Sequence, residues 1–224
     1  MTQWAQIVDL GHTAVMLPLA GAIAGWLVAA RAWKAALYWC VLFAAGLGVV
    51  ASSKIAFLGW GWGIPSLDFQ ALSGHAFRVS AVIPVSLFLL LRGASSPLRT
   101  GGVVLGMGVS IALGALLVHL KFHTLSEVVP SLILGASVSL CFMRIATALP
   151  TPRWNRWALP VSIIVLMGIC VLKPSSINHR LVDIALYLSG REQPYGWSRH
   201  WALEVAACRP SGAHGTGRAR QGRK

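Results

Sequence analysis

Apolar runs of membrane-crossing length recur along the chain, separated by short polar connections. A helix needs about 20 mostly apolar residues to cross the hydrocarbon core of a bilayer. Six runs approach that length: Thr13 to Ala30, Ala35 to Ser52, a third that follows Gly74 and ends before Arg92, Gly101 to Val118, Val128 to Leu149, and Trp157 to Leu172. The third and sixth are short and each holds a proline, Pro84 and Pro160. Membrane helices tolerate proline when neighbouring groups satisfy the freed carbonyl. The pattern predicts an all-α fold, a polytopic membrane helical bundle of about six transmembrane helices over residues 1–172. The stretch from Met1 to Asp9 lacks a basic n-region, so the first run is expected to stay as a span rather than be cleaved.

The polar connections give the bundle two sides. Arg31 and Lys34 follow the first span, Arg92 and Arg99 the third, and Arg144, Arg153 and Arg156 lie at the end of the fifth and beyond it. Consecutive members of this set are two spans apart, so they share one side. Positive residues in short loops concentrate on the cytoplasmic side. The other connections, Ser53 to Ser73 and His119 to Glu127, hold only Lys54 and Lys121 among lysines and arginines and are expected outside. This is expected to put those two connections on the face of the membrane away from the cytoplasm.

Beyond Leu172 the pattern changes twice. Residues 173–208 are expected to form an interfacial amphipathic segment, because Leu181, Ile184, Ala185 and Leu188 recur at helical spacing between Asn178 and Leu188. Residues 209–224 are rich in Gly and Arg without any aliphatic run, the composition of a disordered basic tail.

Composition agrees with a membrane bundle and changes one reading. The chain is 56% hydrophobic and 11% charged, where a soluble domain carries roughly 25% charged residues. Its net charge of +13, from 19 Lys+Arg against 6 Asp+Glu, suggests nucleic acid at first sight. The basic residues, however, gather in the tail and between apolar runs, so anionic membrane lipids are the expected partner and nucleic acid is not. Cys40, Cys141, Cys170 and Cys208 form no CxxC pair and no metal-ligand spacing. No metal or cofactor is expected. The text GWGWG at 59–63 lacks the Gly-Lys-Ser/Thr ending of a phosphate loop. Most of the tryptophans suit interface anchors.

Two polar clusters sit at span boundaries. One is Ser73-Gly74-His75 before the third span, with Lys54 at the end of the second. The other is His123-Thr-Leu-Ser-Glu127 before the fifth. Two spans separate His75 from His123, so both emerge on the same face. His123 and Glu127 are four apart, within reach on one helix face. A carboxylate so placed fixes the imidazole tautomer and leaves the other ring nitrogen available as a nucleophile. His75 follows a glycine and would open a helix, whose first N–H groups favour an anion. Arg78, in the first turns of the third span, is a functional candidate because an ionisable group inside the membrane is costly. It could equally snorkel to the interface. The residues together describe an anion site with two histidines and a lysine at the outer lipid boundary. His12, His119, His179, His200 and His214 suit structural or solvated roles.

At these residues the chain resembles the type-2 phosphatidic acid phosphatase superfamily, the lipid phosphate phosphatases. The family motifs are Lys-x6-Arg-Pro, Pro-Ser-Gly-His and Ser-Arg-x5-His-x3-Asp. Here the first is reduced to Lys54, with Gly61 and Trp62 where Arg and Pro would stand. The second appears as Leu72-Ser73-Gly74-His75. The third appears as His123-x3-Glu127, with Leu117 where Arg would stand. ALSGHAFRVSAV, FHTLSEVV and LSGREQPY resemble a small bacterial branch with SGHA and HSxSE, over roughly residues 45 to 200.

The resemblance implies a metal-independent phosphoric monoester hydrolase of the acid phosphatase type. His123 would attack phosphorus and form a phosphohistidine, Glu127 would orient it, and His75 would protonate the leaving alcohol. Lys54, Ser73 and the Gly74 amide would hold the phosphate oxygens, with Lys121, His119 or Arg78 standing in for the missing arginines. The substrate would be a lipid phosphate or isoprenoid diphosphate. The missing arginines keep a second expectation open, a catalytically impaired member acting as a lipid-binding or structural membrane protein.

Overall fold

The computed structural model describes residues 13–149, 177–191 and 193–195. Its helices are α1 (Thr13–Ala29), α2 (Trp33–Trp60), α3 (Gly74–Leu90), α4 (Ser96–His119), α5 (Leu125–Ala148) and α6 (Ile177–Ser189). A 3-10 turn at Pro65–Leu67 and one bridge between Ile64 and Phe69 shape the connection from α2 to α3. The protein is an all-α membrane bundle. Helices α2, α4 and α5, of 28, 24 and 24 residues, are long and apolar enough to cross a bilayer, and α1 and α3 are shorter apolar helices. The span expected over Trp157 to Leu172 and the tail from Arg209 lie outside the described residues.

Helix α3 is the axis of the bundle, and α1, α2, α4 and α5 all pack on it. Phe77, Ala81, Val82 and Val85 along it have no exposed surface. In lipid the hydrophobic effect does not drive helices together, and close packing over small residues does. Gly106 of α4 lies so near the Pro84 backbone that a Cβ there would come within 2.8 Å of its Cα. Gly135 of α5 lies directly on the Ser80 hydroxyl and the Phe77 carbonyl. Trp39 ties α2 to α1, donating its indole N–H to the Ala20 carbonyl at 3.0 Å.

Three bonds define the two ends. The Ser73 N–H, at the start of α3, donates to Ser131 Oγ in α5 at 2.8 Å. The Leu72 N–H donates to Ser53 Oγ near the end of α2 at 3.1 Å. At the far end, Arg92 Nη2 donates to the Ala146 carbonyl near the end of α5 at 2.6 Å. Helices α3 and α5 therefore run in the same direction, with α2 and α4 opposed to them. Arg31, Lys34, Arg92, Arg99 and Arg144 share one end. Both expected outer connections share the other.

Helix ends differ from the apolar runs for local reasons. Helix α2 continues past Ser52 to Trp60, so Lys54 lies inside the helix and the connection starts at Gly61. It stops there because Gly61 takes a left-handed φ of 73° and its N–H returns to the Phe57 carbonyl at 2.8 Å. Helix α4 begins at Ser96, earlier than Gly101, because Pro97 suits a first turn. Helix α5 begins at Leu125 rather than Val128, with Thr124 extended at its N-cap.

Helix α6 falls almost where the amphipathic pattern placed it, but its apolar stripe is divided. Ala185 is fully buried against Phe57, Leu58 and Ala71, whereas Ile184 and Leu188 are exposed. Gly59 is the reason. Its missing side chain lets the α6 backbone approach, with the Ala185 carbonyl 3.2 Å from where a Cβ would stand. Just beyond α6, the Tyr195 N–H donates to the Leu58 carbonyl at 2.9 Å, and its ring meets Phe57 edge-on at 5.9 Å.

Candidate functional site

His75 is the second residue of α3. Ser73, the N-cap, has extended backbone, and its hydroxyl accepts the Ala76 N–H at 3.4 Å. His123 lies just before the start of α5. The tight turn after α4 places it: the Phe122 and His123 N–H groups both meet the Leu117 carbonyl, at 3.0 and 3.4 Å, and Lys121 adopts φ 59°. The rings of His75 and His123 converge, with centroids 6.4 Å apart and planes 52° from parallel. Both histidines are half-buried.

Glu127 fixes one of them. It is buried, at 6% exposure, where a carboxylate needs bonded partners. Its Oε2 lies 2.7 Å from His123 Nδ1, and its Oε1 accepts the Gln70 N–H at 3.2 Å. A carboxylate opposite Nδ1 requires that nitrogen to donate, and in the neutral ring this leaves the Nε2 lone pair available. The connection carrying Gln70 is in turn pinned to the start of α5, since Thr124 Oγ1 donates to the Asp68 carbonyl at 3.0 Å.

Positive charge is delivered from inside the bundle. Arg78 is buried, at 7% exposure, and its side chain folds back along α3 toward the helix start. Its Nη1 sits 3.2 Å from where a Cβ on Gly74 would stand, so the missing side chain of Gly74 makes room for the guanidinium. Val50 of α2 borders the same spot, with its Cγ1 3.8 Å from that Cβ position. Lys54 is four residues on from Val50, on the same face one turn nearer the site end, and is half-buried.

The remaining candidates are placed differently. Ser73 is fully buried, with its hydroxyl on the helix cap and its N–H on Ser131, so it positions α3 from below. Lys121 and His119 are exposed, and among the described residues neither side chain bonds to the histidine pair. Where the motif has arginine, Leu117 is 4% exposed and packs with Ala76 and Val128. Gly61 is a left-handed helix cap under the Tyr195 ring, and Trp62 is exposed.

No family model matches the chain, and no solved structure matches it. A protein of Klebsiella pneumoniae described as an uncharacterized 22.5 kDa protein in cps region is 34% identical over 155 residues, covering 67% of this chain and 72% of that protein. The chain belongs to the same family as that protein.

Two groups at the site carry no motif. The Ser131 hydroxyl accepts from Ser73 and donates to the Glu127 carbonyl, joining both histidine-bearing segments. The Gln70 main chain serves Glu127. Ser131 was findable, since it extends the His123–Glu127 spacing by another four residues. The Gln70 contact is made by backbone, which any residue supplies.

Proposed function

We propose that this family member is a membrane phosphatase that hydrolyses a lipid phosphate or isoprenoid diphosphate through a phosphohistidine. The observation that carries the reading is the 6.4 Å approach of the two imidazoles, one of them held at Nδ1 by Glu127. Rings at that separation can reach one phosphoryl group together, an attacking nitrogen at phosphorus and a proton donor at the leaving oxygen.

In the proposed reaction His123 Nε2 attacks phosphorus. The bond from phosphorus to the leaving oxygen breaks, and that oxygen takes a proton from protonated His75. Water then attacks the phosphohistidine while His75 accepts its proton. The P–N bond breaks, and inorganic phosphate leaves. Glu127 holds the tautomer throughout. Arg78, Lys54 and the first N–H groups of α3, starting at Gly74, would balance the charge on the phosphoryl oxygens. The scheme uses no metal and no cofactor. With the arginine-rich end toward the cytoplasm, the histidines would face the periplasm of an inner membrane, at the depth of a lipid headgroup.

The test uses the full chain purified in detergent, with phosphatidic acid and undecaprenyl diphosphate as substrates. Phosphate release is expected from wild type, and an acid-labile phosphoenzyme is expected in single turnover. Both should vanish in His123→Ala. Release that survives this change would overturn the assignment of the nucleophile.

Leu117 supports a second reading, a lipid-binding member without turnover. It puts an aliphatic side chain where the resemblance expects a guanidinium, and one such electrostatic contact is worth about 10²–10³ in rate. Retention of phosphatidic acid with no phosphate release would favour that reading.

A further inference from the structure

The end of the bundle opposite the histidines carries Arg31, Lys34, Arg92, Arg99 and Arg144. Among the described residues it holds no carboxylate, since Asp68 and Glu127 surround the histidine site and Asp183 lies on α6, which packs on the last turns of α2. Two of these arginines converge on one ring. Arg92, just past α3, and Arg99, in the first turn of α4, each place the guanidinium carbon 6.0 Å from the Phe88 centroid. Phe88 itself is buried, so the two cations cap it at the edge of the apolar core.

This arrangement costs energy as it stands. Like charges share a partly desolvated spot, with no acid among the described residues to offset them. Burial, and then the neighbouring Arg99, lower the Arg92 pKa from its ordinary value. Arg92 is nonetheless held there by its bond to the Ala146 carbonyl, which uses one of its five N–H donors. An anion between the two forks would remove the repulsion, and guanidinium geometry matches phosphate oxygens. Exposed Leu90 and Leu98, 68% and 56% accessible, flank the pair and offer apolar surface for acyl chains.

We propose that Arg92 and Arg99 form a binding site for the phosphate of an anionic phospholipid, in the leaflet opposite the histidines. This site stands apart from the phosphatase reading and does not depend on it. Such a lipid would join the α3–α4 turn to the end of α5, the junction that the Arg92–Ala146 bond already marks.

The test is native mass spectrometry of the full chain in mild detergent, with phosphatidylglycerol, phosphatidylcholine and inorganic phosphate as probes. Wild type should retain phosphatidylglycerol in preference to phosphatidylcholine. Arg99→Gln should weaken that retention about tenfold, and the Arg92→Gln/Arg99→Gln pair further, as expected for losing charge-assisted hydrogen bonds. Lys34→Gln, at the same end, should leave it unchanged. Arg92 also braces the fold, so Arg99→Gln alone carries the test if the double variant does not fold. Equal retention of the two lipids, or retention unchanged in Arg99→Gln, would overturn the site. Displacement of phosphatidylglycerol by an equal concentration of inorganic phosphate would overturn the lipid as its occupant. Loss in His123→Ala rather than Arg99→Gln would place the lipid at the histidines instead.

Discussion

Glu127 has both carboxylate oxygens committed, one to a backbone N–H and one to a histidine, and this division predicts an uneven effect of Glu127→Gln. The amide oxygen can keep the Gln70 bond, so the fold should hold. The amide nitrogen would then face His123 Nδ1 and donate to it, which moves the ring proton to Nε2 and removes the nucleophilic lone pair. In the proposed reaction, turnover should fall about 10²-fold or more with an unchanged melting temperature. A variant with normal kcat would remove Glu127 from the mechanism. Gly74→Ala probes the other side of the site. The new methyl would press on Arg78 Nη1, 3.2 Å away, and the flexible guanidinium would give way by a few tenths of an ångström. Activity should drop about tenfold through misplacement of that charge, while thermal unfolding stays near wild type.

At the scale of helices, stability rests on where α3 is approached closely. Gly135→Ala would drive a methyl into the Ser80 hydroxyl and the Phe77 carbonyl. Overpacking of this kind costs about 1–3 kcal/mol, and resistance to denaturant should fall accordingly. Gly48→Ala is the matched control: its Cβ would meet nothing within 4 Å, and stability should hold or rise by up to about 1 kcal/mol from helix propensity. The same contacts explain what the sequence made visible. Span-length apolar runs gave α1 to α5 their number and order, because hydrophobicity is a property of each segment alone. The two histidines were placed on one end by counting crossings. Helix ends were harder, because Ser53 and Lys54 are polar without being helix breakers, and only Gly61 ends α2. The split stripe of α6 was invisible for another reason. Ile184 and Ala185 are both apolar, and the choice between them depends on the notch at Gly59, on a helix more than a hundred residues earlier.

For the molecule as a whole, the two ends are chemically unlike, and this predicts its orientation. A cysteine-free background, with Cys40, Cys141, Cys170 and Cys208 replaced, can carry single cysteines at Trp62, on the histidine end, or at Ser95, on the arginine end. In intact cells a membrane-impermeant maleimide should label Trp62→Cys and spare Ser95→Cys, and lysis should expose both. The opposite pattern would turn the histidines toward the cytoplasm. Labelling of both positions in intact cells would contradict a bundle whose ends lie on opposite faces of the membrane.

Leu117 shows how separable the two jobs of one residue are. Its carbonyl anchors the turn that presents His123, and every amino acid has that carbonyl. Its side chain only fills a pocket beside Ala76 and Val128. A smaller apolar side chain here would leave the carbonyl bond that aims the imidazole in place, whereas a charge in that pocket would need bonded partners of its own. The aim of the imidazole and the filling of the pocket are thus set by different parts of one residue.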